Sequence, residues 1–311
     1  MSRVAKAAVG LMAATLVAKI LGFGRELALA SAYGASGVSD AFLVAMNIPA
    51  VIFTAIGTSL GTAFIPLYCE VNANKGEQSY NKFTNNVFNI VVIICIVISV
   101  IGAIFTPQIV KIFAVGFEGE TLRLAIYFTR VMILGLAFLG MSYIMMAYLQ
   151  VKENFIIPGF MSVPYNILII ISIIVSVKIS PYLLPWGTLI GLSLQFLFQL
   201  PFAIKKGYRY KLYIDVKDEH LKRMLWLIAP VLIGVAVNQI NTIVDRTIAS
   251  TLVEGSISAL NYATKLNQFV MGMFIVSISS VVYPMLSKLS SENNKEQFNK
   301  SIITYQYLLE R

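Results

Sequence analysis

Histidine is nearly absent from this chain, and charge is scarce. His220 is the only imidazole among 311 residues, and Asp, Glu, Lys and Arg together make up 13%. With one histidine, placed in a basic stretch at a helix start, no Ser-His-Asp set can be assembled. Apolar-span carboxylates are too few for a proton relay or an acid–base pair, and no Gly-rich phosphate loop occurs. Cysteine is equally sparse. Cys69 and Cys95 lie far apart, in or near apolar spans, with no metal-ligand spacing and no disulfide framework. They read as small buried hydrophobes. These absences argue against an enzyme and against a resident metal or organic cofactor.

Apolar residues are what the chain has in excess, at 58%. Runs of 18 or more read as membrane helices. We expect eight: 5–33, 41–71, 87–107, 122–150, 157–177, 183–204, 224–252 and 257–289. A ninth segment starts at Phe298 and reaches Leu309. The first span is too long for a signal peptide and lacks a small-residue cleavage site, so it is expected to remain as a helix. The net charge of +9 could suggest nucleic acid. Its distribution does not. With the N-terminus inside, Arg3, Lys6, Lys75, Lys82, Lys152 and the cluster from Lys205 to Arg223 fall in cytoplasmic segments. Lys111, Arg123 and Lys178 fall outside. That asymmetry predicts a cytoplasmic N-terminus in a multi-pass cell-membrane protein.

The longest polar connection, KKGYRYKLYIDVKDEHLKR from Lys205 to Arg223, divides the spans into six and then two. Its basic residues suit a topogenic role and contact with anionic head groups of membrane lipids. A shift of 218 residues lays Ala41, Ala45, Ser59 and Pro66 on Ala259, Ala263, Ser277 and Pro284. The same pair of long helices, followed by similar NKGEQ and NKEQ loops, suggests a parallel internal repeat. The expected organisation is a six-helix N-lobe (1–205), a basic loop (206–223) and a partial C-lobe (224–311). A full second lobe would need about four more spans of about 20 residues.

Polar residues inside the spans mark candidate sites, because charge at membrane depth is costly. The first span carries Thr15, Lys19, Gly22 and Glu26 on one stripe, with Arg25 beside it. These either line a cationic cavity or form a structural ion pair. The second span places Asp40, Asn47, Thr54 and Thr58 near one face; Asp40 could equally cap its own helix, and the others could be packing contacts. Pro49 and Pro66 are candidate kinks. The seventh span shows Asn238, Asn241 and Asp245 together. Their oxygens suit a hard cation such as Na⁺; the alternative is pairing of Asp245 with Arg246 or Lys265. Asn261 and Lys265 share a stripe on the eighth span. Arg130 either faces the interior or snorkels towards the interface.

The motifs GFGREL from Gly22, SDAF from Ser39, AFIP from Ala63, VDRTIAS from Val244 and EGSISALNYATKL from Glu254 resemble the MurJ (MviN) lipid II flippases. These belong to the multidrug/oligosaccharidyl-lipid/polysaccharide (MOP) exporter superfamily. The resemblance runs along the whole chain. It implies an all-α, MATE-like bundle and a monomer that moves undecaprenyl-pyrophosphate-disaccharide-pentapeptide between leaflets by alternating access. It implies a cationic cavity using Lys19, Arg25 and Lys265, with Glu26 and Asp40 at matching acidic positions; the polar stripes add Asn47, Arg130 and Asn261 as supporting or gating residues. Asp245 matches a helix 7 aspartate that resembles a sodium ligand of some members, with Asn241 beside it. One departure stands out. Where many members carry an Arg pair, this chain has Val51 to Thr54. A flippase for another polyprenyl-linked saccharide, a cation-coupled drug exporter and an inactive fragment are the alternatives.

Overall fold

A computed structural model describes residues 3–271, and every described element is helical. Helices suit these sequences because backbone polar groups in hydrocarbon must be satisfied within the segment. α1 (Arg3–Tyr33) has 31 residues, about 46 Å of helix. It ends at Gly34, whose φ of +60° is the left-handed closure that glycine accepts readily. α2 (Gly37–Ile104) starts two residues after Ala35, with Ser36 as its N-cap.

α2 is helical for 68 residues but is not one rod. Phe64 and Phe83 stack with ring centroids 5.7 Å apart, and Tyr68 and Tyr80 approach to 4.9 Å. Nineteen residues of straight helix would separate the first pair by about 28 Å. The chain therefore reverses between Tyr68 and Tyr80 without losing helical backbone. Pro49 and Pro66 lie within this run, and the helix continues through both.

The remaining helices follow in order: α3 (Thr106–Phe113), α4 (Gly119–Met132), α5 (Leu136–Val151), α6 (Ile156–Phe160), α7 (Ser162–Lys178), α8 (Leu184–Lys205) and α9 (Glu219–Ala249). Residues 256–271 are helical again. Asp218 caps α9 by accepting from the Leu221 N–H at 2.9 Å. The helix thus begins five residues before the expected start at Met224. Six spans among the described residues are long and apolar enough to cross a membrane. They run over Gly37–Thr54, Ser79–Ile104, Gly119–Val151, Ile156–Lys178, Pro181–Lys205 and Glu219–Ala249. The far end of the eighth expected span and the segment from Phe298 to Leu309 lie outside the described residues.

Residues 1–262 cluster as one compact unit and residues 263–311 as another. Within the first, two apolar clusters mark opposite ends. One gathers Phe42, Ile48, Phe128 and Ile173, with Phe42 edge-on to Phe128 at 6.3 Å. The other gathers Tyr68, Tyr80, Phe83 and Tyr148. At this second end the Lys152 ammonium donates to the Tyr80 hydroxyl at 2.8 Å, with its Nζ 4.2 Å from the centroid of that ring. Nearby, Arg223 pairs with Glu70 at 2.9 Å.

The basic loop is pinned to α2 by a ladder of asparagines. Asn85 donates to the Arg209 carbonyl at 2.8 Å, and Asn89 to the Lys211 and Tyr213 carbonyls at 3.2 and 3.0 Å. Asn86 donates to the Asp215 carbonyl at 2.9 Å and accepts its N–H at 2.7 Å. A loop with no regular structure thereby has its backbone groups satisfied by one helix face.

Candidate functional site

The opposite end carries the candidate site. Three connections meet there: the α1–α2 turn, the α3–α4 turn and the link from the end of α9 to the helix that starts at 256. Asp40 sits one turn into α2 and is buried. Its carboxylate accepts the Gly255 N–H at 2.8 Å, the Ser258 N–H at 2.7 Å and the Ser258 hydroxyl. Asp40 therefore does not cap its own helix; Ser36 does that, and Asp40 caps the helix that starts at 256. The favour is returned. Glu254 accepts the Gly37 N–H at 2.6 Å, at the start of α2. Each helix start is capped by a carboxylate from the other, where the positive end of a helix dipole favours an anion.

Close packing reinforces this clasp. Gly255 has φ +90°, and a Cβ there would lie 2.6 Å from the Ala35 carbonyl oxygen. Tyr262 donates to the Gly34 carbonyl at 3.1 Å. On the flank, the Gly116 N–H donates to the Ser250 hydroxyl at 3.1 Å, and Thr247 donates to the Ile112 carbonyl at 3.0 Å.

Deeper along α1 lies a charged network. Arg25 Nη2 is 2.6 Å from Glu26 Oε1. Its Nη1 donates to the Asn166 side-chain oxygen of α7 at 3.3 Å, and its guanidinium lies 6.0 Å from the Tyr165 ring centre. The other Glu26 oxygen accepts from Asn261 Nδ2 at 2.9 Å. The pairing of neighbours Arg25 and Glu26 shows that a long guanidinium side chain can bridge the roughly 100° between successive helical residues. Glu26 is buried yet fully engaged, as a buried carboxylate must be. Tyr165 also lines a cavity of about 280 Å³ with Thr54, Ser162, Thr188 and Gln195.

The expected residues divide accordingly. Arg25, Glu26 and Asn261 form one network, and Asp40 forms the clasp beside it. Lys19 lies on the Glu26 stripe but is exposed and unpaired among the described residues. Asn47 is half-buried, and its Nδ2 has no partner. Arg130 is exposed on α4, with Thr129 and Val131 buried beside it. Asn241 and Asp245 are exposed on α9, and Asp245 forms no ion pair with Arg246. The side chains of Thr58 and Asn238 lie outside the described residues. Lys265 belongs to the second unit, where its Nζ is 3.4 Å from Gln268 Oε1.

One participant appeared in the sequence only as a possible partner of Asp245. Arg246 is half-buried within electrostatic reach of Glu26 and Asp40, and its Nη1 lacks a partner. Ser258 stood on the polar stripe of the eighth span without a partner assigned to it, and neither Asn166 nor the Glu254 carboxylate was given a role. The 218-residue shift held a signal for the clasp, since it lays Asp40 on Ser258, the residue it bonds.

Comparison with known proteins places these features. The family described as lipid II flippase MurJ matches residues 29–307. A probable lipid II flippase MurJ of Buchnera aphidicola subsp. Baizongia pistaciae is 29% identical over 301 residues, covering 95% of this chain and 59% of that protein. The lipid II flippase MurJ of Burkholderia cenocepacia is 28% identical over 297 residues, covering 92% and 57%. The chain thus spans less than two thirds of these relatives. A solved lipid II flippase MurJ in an inward closed conformation matches with TM-score 0.78 at 31% identity, over 94% of this chain and 60% of that one. An inward-facing MATE-family multidrug resistance transporter of the MOP superfamily, TM-score 0.65 at 14% identity, shares the fold.

Proposed function

Because this chain belongs to the lipid II flippase MurJ family, we propose that it moves lipid II from the inner to the outer leaflet of a bacterial cell membrane by alternating access. The observation that carries this reading is the reciprocal clasp between the start of α2 and the start of the helix at 256, set beside a half-buried, ion-paired arginine. A transporter needs a seal that can open, and a seal of hydrogen bonds between helix ends has two discrete states.

The charge distribution supports an inside N-terminus. Lys82, Lys152, Lys205, Lys206, Arg209 and Lys211 gather at the loop end, which is then cytoplasmic. The clasp end, with Lys111, Arg123 and Lys178, is then external, and the described state is closed outwards.

The cargo is anionic at its pyrophosphate. Arg25 is its partner in this scheme. A pyrophosphate that competes with Glu26 for the guanidinium frees the Glu26 carboxylate and disturbs the bond from Asn261, a neighbour of the clasp on the helix at 256. Cargo binding thereby favours the open clasp, which is the differential affinity alternating access requires. Lys19 and Lys265 are the other cations that the family likeness assigns to the phosphates. Na⁺ would be held through Asp245 and Asn241. Both are exposed oxygen donors on α9, Asp245 is free of an ion pair among the described residues, and other residues must complete the set. Its inward gradient would drive the return step.

Depletion of a cell's own lipid II flippase provides the test. The complete gene should restore growth and its Arg25→Ala form should not. Growth with Arg25→Ala, at normal protein level, would refute the assignment.

A further inference from the structure

A second place in the molecule is built for an amphipathic ligand. At the loop end, a groove of about 680 Å³ runs between α2, α5, α8 and the pinned loop. Its walls are Phe88, Val92, Met141, Phe196 and Leu200, and Arg209 stands at its rim. A second cavity of about 640 Å³, lined by Lys82, Arg209 and Lys211, adjoins it. Arg209 lines both, so the apolar trough and the basic cavity meet at its side chain.

We propose that this double cavity binds one anionic glycerophospholipid, with an acyl chain in the trough and its phosphate on Arg209 and Lys211. Two observations favour a bilayer lipid over a soluble anion, and two more favour an anion of either kind. Ile93, Leu197 and Ile204, on the helices that wall the trough, are exposed apolar residues, a surface suited to hydrocarbon. The apolar trough would be idle for a free phosphate. No carboxylate lines either cavity, since Asp215 is turned to the Tyr213 hydroxyl and the Lys217 N–H. Neither Arg209 nor Lys211 has an ion-pair partner among the described residues. The asparagine ladder holds the loop in place before the lipid arrives, which lowers the ordering cost of binding. The site is separate from the clasp and takes a resident lipid rather than cargo, so transport need not be measured.

The purified protein, in phosphatidylcholine, is titrated with phosphatidylglycerol of the same chain length, and bound lipid is counted by native mass spectrometry. One phosphatidylglycerol should be retained in preference. In the Arg209→Gln/Lys211→Gln variant that preference should fall roughly thirtyfold, about fivefold per basic residue. Leu200→Trp, which fills the trough but leaves the charges, should also lose the lipid. Arg209→Lys/Lys211→Arg should keep it, which separates charge loss from misfolding. Equal retention of the two lipids, full retention by the double Gln variant, or displacement by inorganic phosphate alone would each overturn the proposal.

Discussion

Replacing Asp40 by Asn removes one negative charge and one acceptor from the clasp while preserving size. The carboxylate currently serves three donors, Gly255 N–H, Ser258 N–H and the Ser258 hydroxyl. An amide oxygen can keep the Ser258 pair. The amide NH₂ then faces the Gly255 N–H, leaving a buried donor unsatisfied at about 1–3 kcal/mol. The bonds that survive drop from charge-assisted to neutral strength, which loses on the order of 1 kcal/mol more. A total of about 3 kcal/mol applies only to the closed state, since an open clasp exposes these groups to water. The closed-to-open ratio should then fall on the order of a hundredfold. Ile257 reports this opening, because its side chain is buried in the clasp. In a background with Cys69→Ser and Cys95→Ala, Ile257→Cys should react slowly with an impermeant maleimide. Adding Asp40→Asn should accelerate labelling by about that factor. An unchanged or slower rate would refute the reasoning.

Gly255→Ala should open the same clasp, because it forces a side chain into the left-handed region, at about 1–3 kcal/mol, and drives its Cβ against the Ala35 carbonyl; faster labelling at position 257 is the readout. Asn86→Ala removes both bonds to the Asp215 backbone, so trypsin should cut at Lys211 and Lys217 sooner than in the parent while the membrane helices stay intact. Loop order should also depend on pH. The Lys217 N–H, and then the Tyr213 hydroxyl, hold the Asp215 carboxyl below its ordinary value. A depressed folded value means the stabilisation is present above the ordinary carboxylate range and is lost as pH falls through the depressed one. Hydrogen exchange over residues 210–217 should therefore rise on acidification, and Asp215→Asn should flatten that response.

Much of the architecture was legible because hydrocarbon thickness demands about 20 apolar residues per span. The spans beginning near Leu122, Ile157 and Leu183 sit where the long apolar runs lie. The α2 reversal was harder. The polar stretch NANKGEQ reads as a loop, yet the backbone stays helical while the chain turns back. α9 begins early because Asp218 is a good cap, a local signal outweighed by the basic charges around it.

The site was half legible. The charges of Arg25, Glu26 and Asp40 were visible because they stand in apolar spans. Their partners were not, because hydrogen bonds between distant helix ends leave no periodic trace. Asp40 looks like a cap for α2 because it sits in the first turn. Only tertiary contact shows that it caps a helix 215 residues away. The asparagines of α2 failed to stand out for a related reason: within a helix they count against propensity, and their value lies in a loop more than 120 residues downstream.

The most direct test is transport itself. Protein expressed from the complete gene is reconstituted into vesicles with lipid II in the inner leaflet, and the lipid reaching the outer leaflet is followed by an externally added modifying enzyme. The wild type should deliver lipid II outwards, Arg25→Gln should abolish delivery, and Asp40→Asn should alter its rate. Delivery at the wild-type rate by Arg25→Gln, or none by a folded wild type, would contradict this mechanism.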